Sequence, residues 1–182
     1  WRWNGTAWTK IGGDGVASSW ATADNIEYVY SMNSFGGNLY VGTGSTAGDG
    51  DVWRYNGTAW TKIGGDGLNS GWAASTFELV GALTNDGTNL YAGIGNSNGD
   101  GEVYRWNGTA WTKIGGDALN SSWSTNQGDG VYSLAFDNGV LSAGLYDPAG
   151  NATYWEWNGT AWTLVGGGYV NKSWGFYNLQ SV

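Results

Sequence analysis

The sequence predicts an all-β fold: a β-propeller of four-stranded antiparallel blades of about 51 residues, present as three full blades plus a partial one. Three observations predict it. The stretch WNGTAWTKIGG starts at Trp3 and again at Trp106, with YNGTAWTKIGG from Tyr55 and WNGTAWTLVGG from Trp157, so the motif recurs at intervals of 52, 51 and 51 residues. Fourteen Trp and eleven Tyr accompany 34 Gly, which suits large rings on pleated surfaces with glycine at the corners. Apolar residues alternate in short runs, and helical spacing is sustained nowhere.

Each unit reads as four short strands. In the first full one these are Tyr28–Ser34, Asn38–Gly44 after a Gly36-Gly37 turn, Asp51–Tyr55 after the loop STAGDG, and Thr58–Gly64. Asn56-Gly57 predicts a type I′ hairpin turn between the last two, with positive φ at both residues. The chain then divides into a partial blade over 1–12, blades over 28–64, 78–115 and 130–166, and a connection over 167–182 toward a further blade. Aromatic and aliphatic residues fall on both faces of each unit, so one unit cannot cover itself and needs neighbours. A β-solenoid is the rival architecture, but its shorter coils lack a hairpin in every unit. The first residues, WRWNG, lack an initiator Met, and the opening hairpin lacks two strands. The expectation is therefore a piece of a longer repeat protein, with further repeats or other chains completing the ring.

Composition removes several functions. With no His and no Cys, the commonest general base, thiolate nucleophiles, disulfides and zinc-thiolate sites are all excluded. A net charge of −8 argues against nucleic acid and anionic membranes as partners. No apolar run reaches the length of a membrane span. Acidic residues recur unit by unit, whereas a glycosidase-type carboxylate pair should be singular, so the reading is non-enzymatic.

Blade topology sorts the loops onto two ends. The tight turns share one end; the other collects the long loops and twelve of the fifteen acidic residues. There, the connections between units carry Asp14, Asp66 and Asp117, then Asn69, Asn120 and Asn171, then Trp20, Trp72, Trp123 and Trp174. An indole beside Asp and Asn acceptors suits a sugar, whose C–H face stacks and whose hydroxyls hydrogen-bond. The competing reading makes these tryptophans wedges between blades and the Asp-Gly steps mere turn formers. AGDGD and NGDGE place Asp49 with Asp51 and Asp100 with Glu102, a spacing open to calcium, although the third copy reads AGNAT. No other cofactor is expected. Asn4, Asn56, Asn107 and Asn158 stand in Asn-Gly-Thr sequons, which turn formation explains equally well.

At WTKIGGDGLNSGW, following NLYVGTG, the repeat resembles the propeller lectins of the tachylectin-2 and tectonin kind. The resemblance implies a propeller that binds N-acetylated sugars between blades, and similar modules occur in adhesins and phage tail proteins. The loop between Gly64 and Trp72 is longer than in the tachylectin-2 kind. The functional expectation is a multivalent carbohydrate-binding or adhesive module, extracellular, on a cell surface or in a virion, with glycans or surface polysaccharide as partners. Its alternative is a structural or protein-interaction module of an appendage, fibre or virion tail.

Overall fold

A computed structural model describes residues 1–21, 26–45, 49–73, 77, 79–95, 100–124, 130–147 and 152–167. It is all-β. A first hairpin, β1 (Arg2–Trp3) and β2 (Trp8–Thr9), precedes three four-stranded meanders. The first contains β3 (Tyr28–Phe35), β4 (Asn38–Gly44), β5 (Val52–Tyr55) and β6 (Trp60–Gly64). The second contains β7 (Leu79–Asn85), β8 (Leu90–Gly95), β9 (Glu102–Trp106) and β10 (Trp111–Gly115). The third contains β11 (Gly130–Asp137), β12 (Val140–Tyr146), β13 (Thr153–Trp157) and β14 (Trp162–Gly167). Every strand pairs antiparallel with its chain neighbour inside its meander. Adjacent meanders touch in register at one pair each, Gly44 with Leu79 and Gly95 with Gly130, while β3, β7 and β11 pack side by side. Among the described residues no helix is long and apolar enough to cross a membrane.

The turns correct one expectation. Tyr55 pairs with Trp60, so the hairpin loop holds four residues, and only Gly57 takes positive φ, at 97°. Asn56 keeps ordinary φ and works through its side chain: Oδ1 accepts the N–H groups of Thr58 and Ala59, both at 2.9 Å. That Asx turn recurs at Asn4, Asn107 and Asn158, and Asp86 builds the same loop between β7 and β8. It draws Thr58 and Ala59 out of the strand, so β6 begins at Trp60. True type I′ turns occur instead at Gly36-Gly37 (φ 55° and 76°) and Asn138-Gly139 (49° and 84°).

The core lies between the meanders. One buried cluster joins Tyr40, Val52 and Ile63 of the first to Val80, Leu90 and Trp111 of the second; another joins Tyr91, Val103 and Ile114 to Val131, Leu141 and Trp162. Each burial is shared by two units, so separation would expose both sides. Hydrogen bonds cross these two seams, Trp111 Nε1 donating to the Ile63 carbonyl and Trp162 Nε1 to that of Ile114, both at 2.8 Å, and Trp60 Nε1 donates likewise to Ile11 beside the opening hairpin at 2.5 Å. Space for these indoles comes from a glycine at the end of the preceding strand. A Cβ on Gly64 would come within 2.7 Å of Trp111 Nε1, and one on Gly115 within 2.7 Å of Trp162 Nε1.

Gly115→Ala is therefore expected to destabilise the chain by about 1–3 kcal/mol. Gly166→Ala, at the same repeat position but with nothing among the described residues within 4 Å of the added carbon, should change stability by less than about 0.5 kcal/mol. Urea unfolding of the two variants checks the pair.

Candidate functional site

The connections after β2, β6 and β10 are held in a sequence of left-handed residues. After β6, Gly65, Asp66 and Gly67 take φ of 97°, 54° and 69°, and Asn69 and Ser70 take 55° and 62° within a 3-10 turn over Leu68–Ser70. The connection after β10 repeats this at Gly116, Asp117, Ala118, Asn120 and Ser121, and the one after β2 at Gly13, Asp14, Gly15, Ala17 and Ser18. Non-glycine residues held there carry strain that surrounding bonds must maintain. Gly67 N–H donates to the Trp72 carbonyl at 2.6 Å and Leu68 N–H to that of Gly65 at 2.9 Å, with the same pair after β10 at Ala118 and Leu119.

The predicted site residues divide between two jobs. Trp72 and Trp123 are 3% and 2% exposed, and their Nε1 groups donate to the carbonyls of Gly50 and Gly101, both at 2.5 Å. Trp72 meets Tyr104 and Trp111 edge-on at 5.2 and 5.4 Å; Trp123 meets Trp155 and Trp162 at 5.6 and 5.3 Å. Their ring faces are covered by the next unit, so these indoles wedge the junctions. Trp20, half-buried, meets Trp53 and Trp60 at 5.8 and 5.4 Å in the same way. Asn69 and Asn120 donate through Nδ2 to the Ile63 and Ile114 carbonyls, at 2.9 and 3.0 Å. Those are the carbonyls that also accept an indole N–H across the seam. Asn171 and Trp174 lie outside the described residues.

Asp14, Asp66 and Asp117 are the exposed members. Each faces the lysine four residues earlier: Asp14 pairs with Lys10, Asp66 with Lys62, and Asp117 with Lys113 at 2.5 Å. Lys62 and Lys113 also reach a second, buried carboxylate, Asp51 at 2.7 Å and Glu102 respectively. One ammonium thus bridges an inner and an outer carboxylate at two junctions. The cation beside Asp51 and beside Glu102 is a lysine. Asp49 accepts the Ser45 hydroxyl at 3.2 Å. Among the described residues no group of three acidic side chains is placed to hold a metal ion.

Sequence reading missed the bridging lysines, yet the signal was present. In the last copy Thr153, Leu164 and Gly168 replace the inner carboxylate, the lysine and the outer carboxylate together. Three charges that vanish as a set belong to one constellation.

Burial pushes the Asp51 carboxyl up to about 6 from its ordinary 3.8, against the opposing pull of Lys62. Burial raises Glu102 as well, opposed by Lys113. Burial alone would lower Lys62, but Asp51 and Asp66 outweigh it and hold its ammonium above the usual range. The folded chain keeps the Asp51 proton to about pH 6, whereas the unfolded chain releases it near its ordinary value. Between those limits the folded state binds more protons, so this group's contribution to stability falls as pH rises through the window. Asp51→Asn should flatten the stability profile between pH 4 and 7 relative to the parent, as read by urea unfolding at each pH; parallel profiles would contradict this.

No protein-family model and no curated protein matches the chain. Among solved structures it is similar to a protein of unknown function from Bacteroides thetaiotaomicron, at 18% identity and a TM-score of 0.55, over 92% of this chain and 39% of that one. That likeness shows the fold, and the chain spans about two fifths of that protein's length. Further similar structures are a fucose lectin from Kordia zhangzhouensis in complex with methyl-fucoside (12% identity, TM-score 0.45, 76% of this chain and 98% of that one) and the N-terminal domain of Nup159 (14%, 0.39, 78% and 30%).

Proposed function

We propose that the chain is an arc of a β-propeller, three blades of about 51 residues and a partial one, serving as a non-enzymatic, multivalent carbohydrate-binding or adhesive module outside the cell or on a virion. The observation that carries the reading is the repeated loop that displays an exposed carboxylate beside an ammonium at successive junctions: Asp14 with Lys10, Asp66 with Lys62, Asp117 with Lys113. A carboxylate accepts from sugar hydroxyls and an ammonium donates to them. Leu68 and Leu119, exposed in the same loops, offer a small apolar surface for a C–H face. The tryptophans act beneath, by fixing the loop. Weak sites at a fixed spacing gain affinity together when the ligand repeats, as a surface polysaccharide does.

A second reading, a protein-interaction module of an appendage or virion tail, is favoured by one observation. Trp1, Trp3 and Trp8 on the opening hairpin and Tyr28, Val29 and Met32 on β3 are exposed large apolar residues outside the carboxylate-bearing loops.

A glycan array with the intact chain separates the readings. Binding is expected for the parent and at least about tenfold weaker for the Asp66→Asn/Asp117→Asn double variant, both changes being at exposed carboxylates. A blank array, or binding indifferent to the double substitution in a chain of unchanged circular dichroism, would overturn the glycan reading.

A further inference from the structure

Turn formation uses only one of the two polar atoms that each hairpin-tip asparagine carries. At Asn4, Asn56, Asn107 and Asn158 the Oδ1 atom accepts two backbone N–H groups, while Nδ2 has no hydrogen-bond partner among the described residues. The loop at Asp86 shows that the turn asks for nothing more. There Oδ1 accepts the Thr88 and Asn89 N–H groups at 2.7 and 2.6 Å, and Asp86-Gly87-Thr88 otherwise matches the Asn-Gly-Thr tips. The second oxygen of Asp86 accepts from Asn89 and Tyr91, at 3.0 and 2.7 Å. Ala59 and Thr61 stand at those places beside Asn56, and Ala110 and Thr112 beside Asn107. An aspartate would therefore build these turns equally well, yet all four tips keep a carboxamide.

The tips are also open. Asn56, Gly57 and Thr58 are exposed, as are Asn107, Gly108 and Thr109, and nothing lies within 4 Å of a Cβ built on either glycine. The four residues of β5 separate the Asn56 tip from Asp51 by roughly 13 Å of strand, so the tips and the carboxylate-bearing loops occupy opposite ends of each hairpin. A further sequon, Asn120-Ser121-Ser122, provides the internal contrast. Its Nδ2 donates to the Ile114 carbonyl at 3.0 Å, and the buried Ser122 hydroxyl accepts the Gly116 N–H at 2.9 Å.

We infer that Asn4, Asn56, Asn107 and Asn158 are N-glycan acceptors and that Asn120 is not. The donor is an oligosaccharide activated by phosphate at its anomeric carbon. Nδ2 attacks that carbon: the N–C1 bond forms, the C1–O bond to phosphate breaks, and the Nδ2 proton passes to a base of the transferring enzyme. Oδ1 keeps both backbone bonds throughout, so the hairpin survives the modification. At Asn120 the same step would displace the bond to Ile114 and force a sugar chain into a packed loop. Glycans then line the tight-turn end, one per tip, and leave the long loops clear. The inference shares with the proposed function only its setting outside the cell, and it holds for a sugar or a protein partner at the long loops.

The test secretes the full chain from a eukaryotic host and maps its peptides by mass spectrometry after amidase release, which converts each glycosylated Asn to Asp. Conversion is expected at Asn56 and Asn107 and not at Asn120, and Thr58→Ala should abolish it at Asn56 alone. A second arm uses chain made in a host without N-glycosylation: Asn56→Asp should keep the parent's urea midpoint, whereas Asn56→Ala should lower it. Bare tips, conversion at Asn120 as complete as at Asn56, or an Asn56→Asp midpoint as low as that of Asn56→Ala would overturn the inference. Bare tips on a chain that binds the glycan array refute this inference alone; glycosylated tips beside a blank array support it and refute only the sugar-binding reading.

Discussion

The indole of Trp111 reaches across a junction to the carbonyl of Ile63, over a strand end kept bare by Gly64, while Trp72 closes the same seam edge-on. Most of what surrounds the seam depends on this contact. A meander buries little by itself, because both buried clusters are divided between neighbouring units. The large ring provides apolar area, its single N–H finds a carbonyl that it shares with Asn69, and the glycine leaves room where a Cβ would collide with the indole. Repetition then turns one solution into a scaffold, since each unit presents to the next the surface it was itself offered.

The connecting loops inherit their rigidity from the same place. Ile63 and Ile114 carbonyls accept both the indole N–H of the next unit and the Nδ2 of Asn69 or Asn120. Left-handed Asp66 and Asp117 are thus anchored to the packing seam rather than to solvent, and the bridging lysines tie them to Asp51 and Glu102 beneath. Strain in the backbone and charge on the surface are held by one junction, which gives the exposed carboxylates their fixed spacing.

Much of this was legible in the sequence, for reasons that differ by residue. The period and the strands were legible because WNGTAWTKIGG alternates cleanly and its glycines mark the ends. Turn type was not, because Asn-Gly satisfies either a left-handed Asn or an Asn that folds its side chain over the next two amides, and Asn56 does the second. The two readings of Trp72 and Trp123 differed only in whether a neighbour covers the ring, and exposure is a property of packing rather than spacing. The lysine bridge escaped notice because Lys62 meets Asp51 across a strand pair, eleven residues away in sequence, where only the joint loss at Thr153, Leu164 and Gly168 betrays the set.

Trp8 occupies the repeat position of Trp60, Trp111 and Trp162 but is 62% exposed, so the protein contains its own control for the seam. The decisive measurement is the urea unfolding free energy of Trp111→Phe beside Trp8→Phe in the intact chain. If the indole-carbonyl junction holds the units together, Trp111→Phe costs about 1–3 kcal/mol and Trp8→Phe less than about 0.5 kcal/mol. Equal effects at the two positions, or a neutral Trp111→Phe, would contradict the account.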